Sequence, residues 1–272
     1  MSNLMPSNEE RIAFFDSAVL APFQASRTIR SFAGEDEDVK GEVIEEDDGK
    51  LLVGDDKPVT LAFADNLDGD IAQAARDSIT YAERYADGNA NKAETPMRWH
   101  AKYATAMKYC GWSTTGYKYA SHTVKQKNIT MESIVLDIIG AVAGANKGAM
   151  LKLLGDAFGT IKSNDGLTTL FDKNSKSGKE ADFRIVPCLS SAKGTAITAL
   201  LAMDCELKTE QGGAWFWKWN MSEVKMKKAA AMIELNMDEH ERARDWILEA
   251  LGANSEAFFK SAKLASYDDS DS

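Results

Sequence analysis

The chain is poor in the residues that build metal and redox centres. Its 272 residues include three His and three Cys, which leaves little material for a zinc or iron–sulfur site. Cys110, Cys188 and Cys205 are odd in number and widely spaced, so they read as reduced thiols and not as a disulfide framework. No uninterrupted apolar run reaches the roughly 18–20 residues a membrane-crossing helix needs, so none is expected. The opening MSNLMPSNEERIAFF lacks the basic start and apolar run of a signal peptide. Synthesis in the cytoplasm is therefore expected, and export would need a dedicated secretion or injection system. Positive charge is also short: 32 Lys+Arg face 42 Asp+Glu, for a net charge of −10. Such a chain repels a phosphate backbone, so nucleic acid is not an expected partner. None of the frames GxSxG, HExxH, GxxxxGK[ST] or GxGxxG occurs, and no catalytic residue, cofactor or metal is predicted.

What is present argues for a packed protein. Hydrophobic residues make up 44% of the chain, enough to build a core. The charge is uneven. Residues 35–56 hold eleven acids against Lys40 and Lys50, with short apolar islands at Val43–Ile44 and Leu51–Val53. This strip reads as a solvated hairpin or loop, or as a docking strip for a basic partner. The reading divides the chain into an acidic N-terminal region with one helix (1–90), a main α+β domain (91–265) and an acidic tail (266–272). The run Asp87-Gly-Asn-Ala-Asn91 marks the first boundary.

The periodicities give the elements. Ile71, Ala75, Ile79, Ala82 and Tyr85 predict a helix that Gly88 stops. Thr95-Pro96 opens another through Trp99, Tyr103, Met107 and Cys110. Trp112–Ala120 reads as a strand. Met131, Ile134, Val135, Ile138, Ile139 and Val142 recur at helical spacing. Met150, Leu153, Leu154, Ala157, Phe158 and Ile161 repeat the pattern after a Gly-rich centre, which predicts an αα-hairpin over 131–162. Strands are expected from Phe183 to Cys188, over 196–208, 214–226 and 229–235. In the second of these, odd positions from Ile197 to Leu207 are apolar and even ones end in Asp204 and Glu206, the alternation of a half-buried strand. Asn236 or Asp238 then caps a helix ending at Gly252, and a short helix follows from Asn254. The predicted fold class is α+β, with about five antiparallel strands packed against the apolar αα-hairpin and flanking helices.

Three features bear on function. Trp215, Trp217 and Trp219 alternate along one strand, so they share a face. They form either a core layer or an exposed platform for a protein partner or membrane interface. The hairpin text IGAVAGANKGAMLKLLGDAFGTI is amphipathic in the manner of membrane-active helices. Its polar face nonetheless mixes Glu132, Asp137 and Asp156 with Lys147, Lys152 and Lys162. Cys205 lies on the apolar face of its strand and reads as a buried small hydrophobe. His100, His122 and His240 read as surface or packing residues.

The series Trp99…Tyr103, Gly111-Trp112, the apolar helix pair, Leu170-Phe171 with a Ser-rich turn, and Phe183-Arg-Ile185…Cys188 resembles a family of uncharacterised bacterial proteins. Its members read W-Y-x-x-Y…G-W, then L-F…S, then F-x-I. The resemblance covers about residues 95–264 and departs at His100, where Tyr usually follows the Trp. It implies a single domain from about residue 90 and no activity.

The resulting expectation is a non-enzymatic interaction, assembly or effector-type protein. It would meet a protein partner or itself through the Trp215/Trp217/Trp219 face and the acidic strip. The alternative is a toxin-like protein that inserts the 131–162 hairpin into a membrane surface. The third reading is an unrecognised hydrolase.

Overall fold

A computed structural model describes residues 5–22, 42–46, 49–53, 59–64, 67–92, 94–113, 119–124, 130–165, 167–169, 184–191, 193–206 and 224–261. At 42–46, 49–53, 59–61, 63, 119–124, 131, 184–185, 204–206, 224–227 and 253–261 it describes the backbone.

The fold is α+β. Helix α1 (Asn8–Ser17) is closed by a capping box: the Ser7 hydroxyl accepts from Glu10 N–H while the Glu10 carboxylate accepts from Ser7 N–H, satisfying two end donors at once. Three strands follow, β1 (Glu42–Glu46), β2 (Gly49–Val53) and β3 (Val59–Ala64). The described parts of the acidic strip, 42–46 and 49–53, thus pair as antiparallel strands and lead into a third. Helix α2 (Gly69–Asn89) is capped by Asp68, whose carboxylate accepts from Asp70 and Ile71 N–H. Helix α3 is Pro96–Tyr109. Proline sits at its first position as predicted, but the Thr95 hydroxyl accepts from no helix N–H and instead donates to the Asn91 carbonyl.

Next come β4 (Trp112–Ser113) and β5 (Tyr119–Val124), then the predicted αα-hairpin. Its arms are α4 (Met131–Val142) and α5 (Lys147–Ser163), joined by a short 3-10 turn at Gly144–Asn146. Gly144 takes φ 54° there, a left-handed value that glycine adopts without strain. Strands β6 (Arg184–Ser190), β7 (Ala196–Glu206) and β8 (Val224–Leu235) complete the sheet. Helices α6 (Met237–Glu241) and α7 (Arg244–Ser261) close the chain. Asn236 is the cap, accepting from Glu239 N–H.

Among the described residues the sheet has eight strands in the order β1-β2-β3-β6-β7-β8-β4, with β5 also on β8. That is more than the five expected. Pairing is antiparallel except for β3 with β6, which run parallel with Val59 opposite Arg184 and Phe63 opposite Cys188. Strand β8 pairs with β7 from Glu234–Ile197 to Lys225–Glu206. Its other edge takes β4 at Leu235 and Glu234, and β5 from Ala229 to Val224. Strand β8 is continuous from Val224, so residues 229–235 are not a separate strand.

The hairpin covers one face of the sheet. Ile134, Ile138, Leu154, Phe158 and Ile161 pack with Ala62 of β3, Leu189 of β6 and Ile197, Ala199 and Met203 of β7. The opposite face, with Val186, Cys188, Ala196, Leu200, Ile233 and Leu235, packs on α2, α3 and α7 through Ile79, Trp99, Tyr103, Met107 and Ile247. The result is three layers. Strand β7 is therefore buried on both faces where Thr198, Leu200 and Ala202 alternate with Ala199 and Met203; it is not the half-buried strand expected. Each fully buried Leu- or Ile-sized side chain contributes about 1.5–3 kcal/mol.

Among their described residues, the first ninety contribute two helices and three strands, where one helix was expected. Helices α2 and α3, on either side of residues 87–91, share a core. Gly88 does not stop α2, which runs on to Asn89. A Cβ at Gly88 would meet the Val19 carbonyl oxygen at 2.4 Å, so glycine is required there for close chain crossing. Gly252 likewise lies inside α7, so the two closing helices expected around it are one.

Candidate functional site

Trp215, Trp217 and Trp219 lie outside the described residues, as do the acids at 35–38, 47–48 and 55–56. The remaining tryptophans are placed. Trp99 and Trp112 are buried. The Trp99 indole donates to the Asp87 carboxylate at 2.7 Å and stacks on Tyr103. Trp246 is half-buried and stacks on Phe15 at 5.4 Å.

The described part of the acidic strip, β1 and β2, lies at one end of the sheet order. Among the described residues strand β1 is outermost, and it carries Glu42, Glu45 and Glu46 in five residues. It pairs with β2, Glu46 standing opposite Gly49 and Glu42 opposite Val53. The helical layers pack on β3, β6, β7 and β8 further in.

The strongest side-chain cluster is a buried polar junction between α1, α2, α3 and α6, and the sequence analysis did not find it. Arg11 is fully buried. Its guanidinium donates to the carbonyls of Tyr109 at 3.1 Å, Glu239 at 3.2 Å and Pro6 at 3.4 Å, and forms an ion pair with the Glu239 carboxylate. It thereby caps the end of α3, where last-turn carbonyls lack helical partners. Phe14 stacks flat on Tyr109 at 4.0 Å beside it. Arg84, buried on α2, donates to the carbonyls of Ala21 and Ala250, both at 3.1 Å. Two arginines thus pin the N-terminal segment to the body of the fold. A buried Arg is rare by composition; the apolar flanks Phe14-Phe15 were the available signal for Arg11.

His240 completes the junction. Its Nδ1 lies 3.1 Å from the Cys110 carbonyl and 3.3 Å from Ser78 Oγ. A carbonyl only accepts, so Nδ1 carries the proton. Ser78 Oγ donates to the Ala74 carbonyl at 2.7 Å. The hydroxyl proton is committed to that carbonyl and Ser78 is fully buried, so the pair is a packing knot and not a nucleophile with its base. Burial pushes the His240 imidazole below its ordinary pKa, and this outweighs the Cys110 carbonyl and the Asp77 and Glu241 charges, which act the other way. Asp77 is raised by burial, against its hydrogen bond from Gln73. Gly111 makes the junction close: at φ 101°, a Cβ there would meet His240 N at 2.6 Å.

The thiols follow the same physics. Cys110 and Cys188 are buried; burial raises the Cys110 thiol and pushes Cys188 up to about 12. His100 is buried edge-on against Trp99. His122 and Cys205 fall in β5 and β7. Among the described residues no group of three His, Cys, Asp or Glu could hold a metal ion, and no helix is long and apolar enough to cross a membrane.

No protein-family model matches the chain, and no curated protein matches it. The resemblance over about residues 95–264 therefore stands on its motif residues alone. A solved structure described as that of the Evf virulence factor aligns over 71% of this chain and 75% of its own, at 9% identity and a TM-score of 0.33. At that score the likeness carries no argument.

Proposed function

We propose that this is a non-enzymatic interaction protein of the effector type that works through surfaces, and that the acidic β1–β2 ribbon is one of them. The observation that carries this reading is the position of β1 at the outer end of the sheet among the described residues, with three glutamates in five residues. A terminal strand offers unpaired backbone donors and acceptors to an incoming strand. Its charge disfavours pairing with a second acidic copy and favours a basic extended segment. The buried state of Ser78, Cys110, Cys188 and His240 supports the non-enzymatic side of the reading, since a nucleophile must reach its substrate. The burial of the α4–α5 apolar face against the sheet weighs against the membrane-active alternative, which would have to strip that face from its core.

The test is calorimetric titration of the full chain with an extended peptide of alternating Lys and Val. Binding should weaken as ionic strength rises from 0.01 to 0.15 M, where screening shortens from about 30 to about 8 Å. It should be lost in the triple variant Glu42→Lys, Glu45→Lys, Glu46→Lys. Undiminished binding by that variant refutes the assignment. The Trp215/Trp217/Trp219 face is tested by quencher access. With Trp99 and Trp112 buried and Trp246 half-buried, a large accessible fraction of the emission has to come from those three.

A further inference from the structure

Residues 6–22 lie across the helical layer as a strap. Phe14 of α1 stacks on Tyr109 and sits 4.9 Å from the Tyr85 ring, while Phe15 packs on Tyr81 at 5.3 Å and on Trp246. Arg11 reaches the Tyr109 and Glu239 carbonyls and the Glu239 carboxylate. Beyond the helix, Ala21 N–H donates to the Arg84 carbonyl at 3.0 Å, and the Asn89 amide donates to the Val19 carbonyl at 2.8 Å. All these partners lie between Tyr81 and Trp246, far along the chain from the strap. The groove they form offers aromatic rings and hydrogen-bond acceptors, and it fits a helix reading Arg-x-x-Phe-Phe. Residues 11–15 of this chain are such a text.

The strap is apolar on its outer side as well. Among the described residues, the large apolar side chains that stand exposed are Ile12 at 46%, Val19 at 60% and Leu248 at 39%. Two belong to the strap, and the third belongs to α7, on which the strap packs through Phe15 and Trp246. Exposed apolar groups on adjoining elements mark a contact face. Glu9, Glu10 and Asp16 stand exposed on the same helix, which disfavours an anionic membrane surface as the thing that covers it. A second copy presents the same apolar groups in return, as a two-fold contact requires.

We propose that two copies of this chain exchange straps, each α1 filling the groove of the other, with Ile12, Val19 and Leu248 of both copies covered where they meet. The exchange forms between chains the Arg11, Phe14 and Phe15 contacts that the closed chain forms within itself, and the newly covered face is the gain. Exchange of an identical element is a low-cost route to a dimer. Residues 23–41, between the strap and β1, span at most about 65 Å, a reach that includes the matching groove of an adjoining copy. The same tether holds the chain's own helix at an effective concentration in the millimolar range. The closed form therefore prevails in dilute solution, and the dimer emerges as concentration rises.

Light scattering of the full chain at about 0.15 M salt, where screening is short, should show the mass rise from one chain to two between micromolar concentration and about 1 mM. In a second arm, light chains with Phe14 replaced by photoreactive benzoylphenylalanine are refolded from urea together with isotopically heavy, unsubstituted chains and irradiated. The expected product joins the light strap to the heavy peptide that contains Tyr109, as read by mass spectrometry. The double variant Val19→Ser, Leu248→Ser changes two exposed side chains and should weaken the dimer by at least about tenfold, since each change counts twice in a two-fold face. A mass that stays at one chain at every concentration overturns the proposal, whether or not a substituted chain folds. A dimer in which every captured Tyr109 peptide is light overturns it too, as does an undiminished dimer in the double variant. None of these outcomes involves β1, so the acidic-edge reading stands or falls separately.

Discussion

Replacing Arg11 with Met tests whether the polar junction holds α1 in place. Methionine keeps most of the aliphatic stem of the arginine and removes its charge. Three carbonyls, of Pro6, Tyr109 and Glu239, lose their donor. The Glu239 carboxylate, itself largely buried, is left with Arg242 at 3.4 Å, whose side chain is mostly exposed. Breaking a buried pair by removing one partner costs about 3–5 kcal/mol. The residual contact with Arg242 argues for the lower end, about 3 kcal/mol, or about 6–12 °C in Tm for a chain of this size. Urea denaturation of Arg11→Met should show that loss. Emission from Trp246 should also change before the main transition if α1 leaves first, because Phe15 of α1 stacks on that indole. Adding Glu239→Met removes the stranded charge, so the double variant should recover part of the loss. A loss below about 1 kcal/mol, or a double variant worse than the sum of the singles, refutes the account of Arg11 as a paired, buried anchor.

Gly159→Ala and Gly88→Ala should have opposite signs. A Cβ at Gly159 of α5 meets nothing within 4 Å, so alanine there should stabilise by roughly 0.5–1 kcal/mol. At Gly88 it strikes backbone atoms of Val19 and Ala21, so urea midpoints should fall by the equivalent of about 1–3 kcal/mol. The depressed pKa of His240 means that the unfolded chain takes up its proton first as pH falls. Stability from this group is therefore complete above about 6.5 and is lost as pH drops below that value toward the folded pKa. Asp77, raised in the fold, acts in the opposite sense just above 3.8. His240→Asn should flatten the upper of these windows in a denaturation series across pH. Cys110 and Cys188, with burial opposing thiolate formation, should resist iodoacetamide at pH 8 until urea is added, as mass spectrometry of labelled peptides would show.

The αα-hairpin was legible because an apolar face repeating over two arms leaves one solution, burial of both arms on something flat. Its Gly-rich centre supplied the turn. Thr95-Pro96 and Asn236 marked helix starts for similarly local reasons. Strand β7 was legible in extent but misread in environment. Its even positions include Ala196, Thr198 and Ala202, residues whose small size hides burial, and Thr198 is satisfied by the Pro187 carbonyl at 2.6 Å. The strands β1–β3 were only hinted at by Val43–Ile44 and Leu51–Val53, because the ribbon joins the sheet through β3, whose pairing with β6 depends on residues far along the chain. Gly88 was read as a helix stop because the sequence does not show that another segment passes over it. The junction residues Arg11, Arg84 and Glu239 were illegible for the same reason: the backbone carbonyls that the two arginines meet, and the Arg11 guanidinium that the Glu239 carboxylate meets, are brought close only by the fold.

The parallel joint between β3 and β6 has a consequence for the birth of the protein. Val59 meets Arg184, which leaves the ribosome only after α2, α3 and both arms of the hairpin. Until then the inner edge of the β1–β3 ribbon lacks its partner strand. Long-range pairing of this kind is slow, and unpaired edges held open during synthesis are prone to stick. The acidity of the ribbon then acts as a guard, since like charges hold nascent copies apart until β6 arrives.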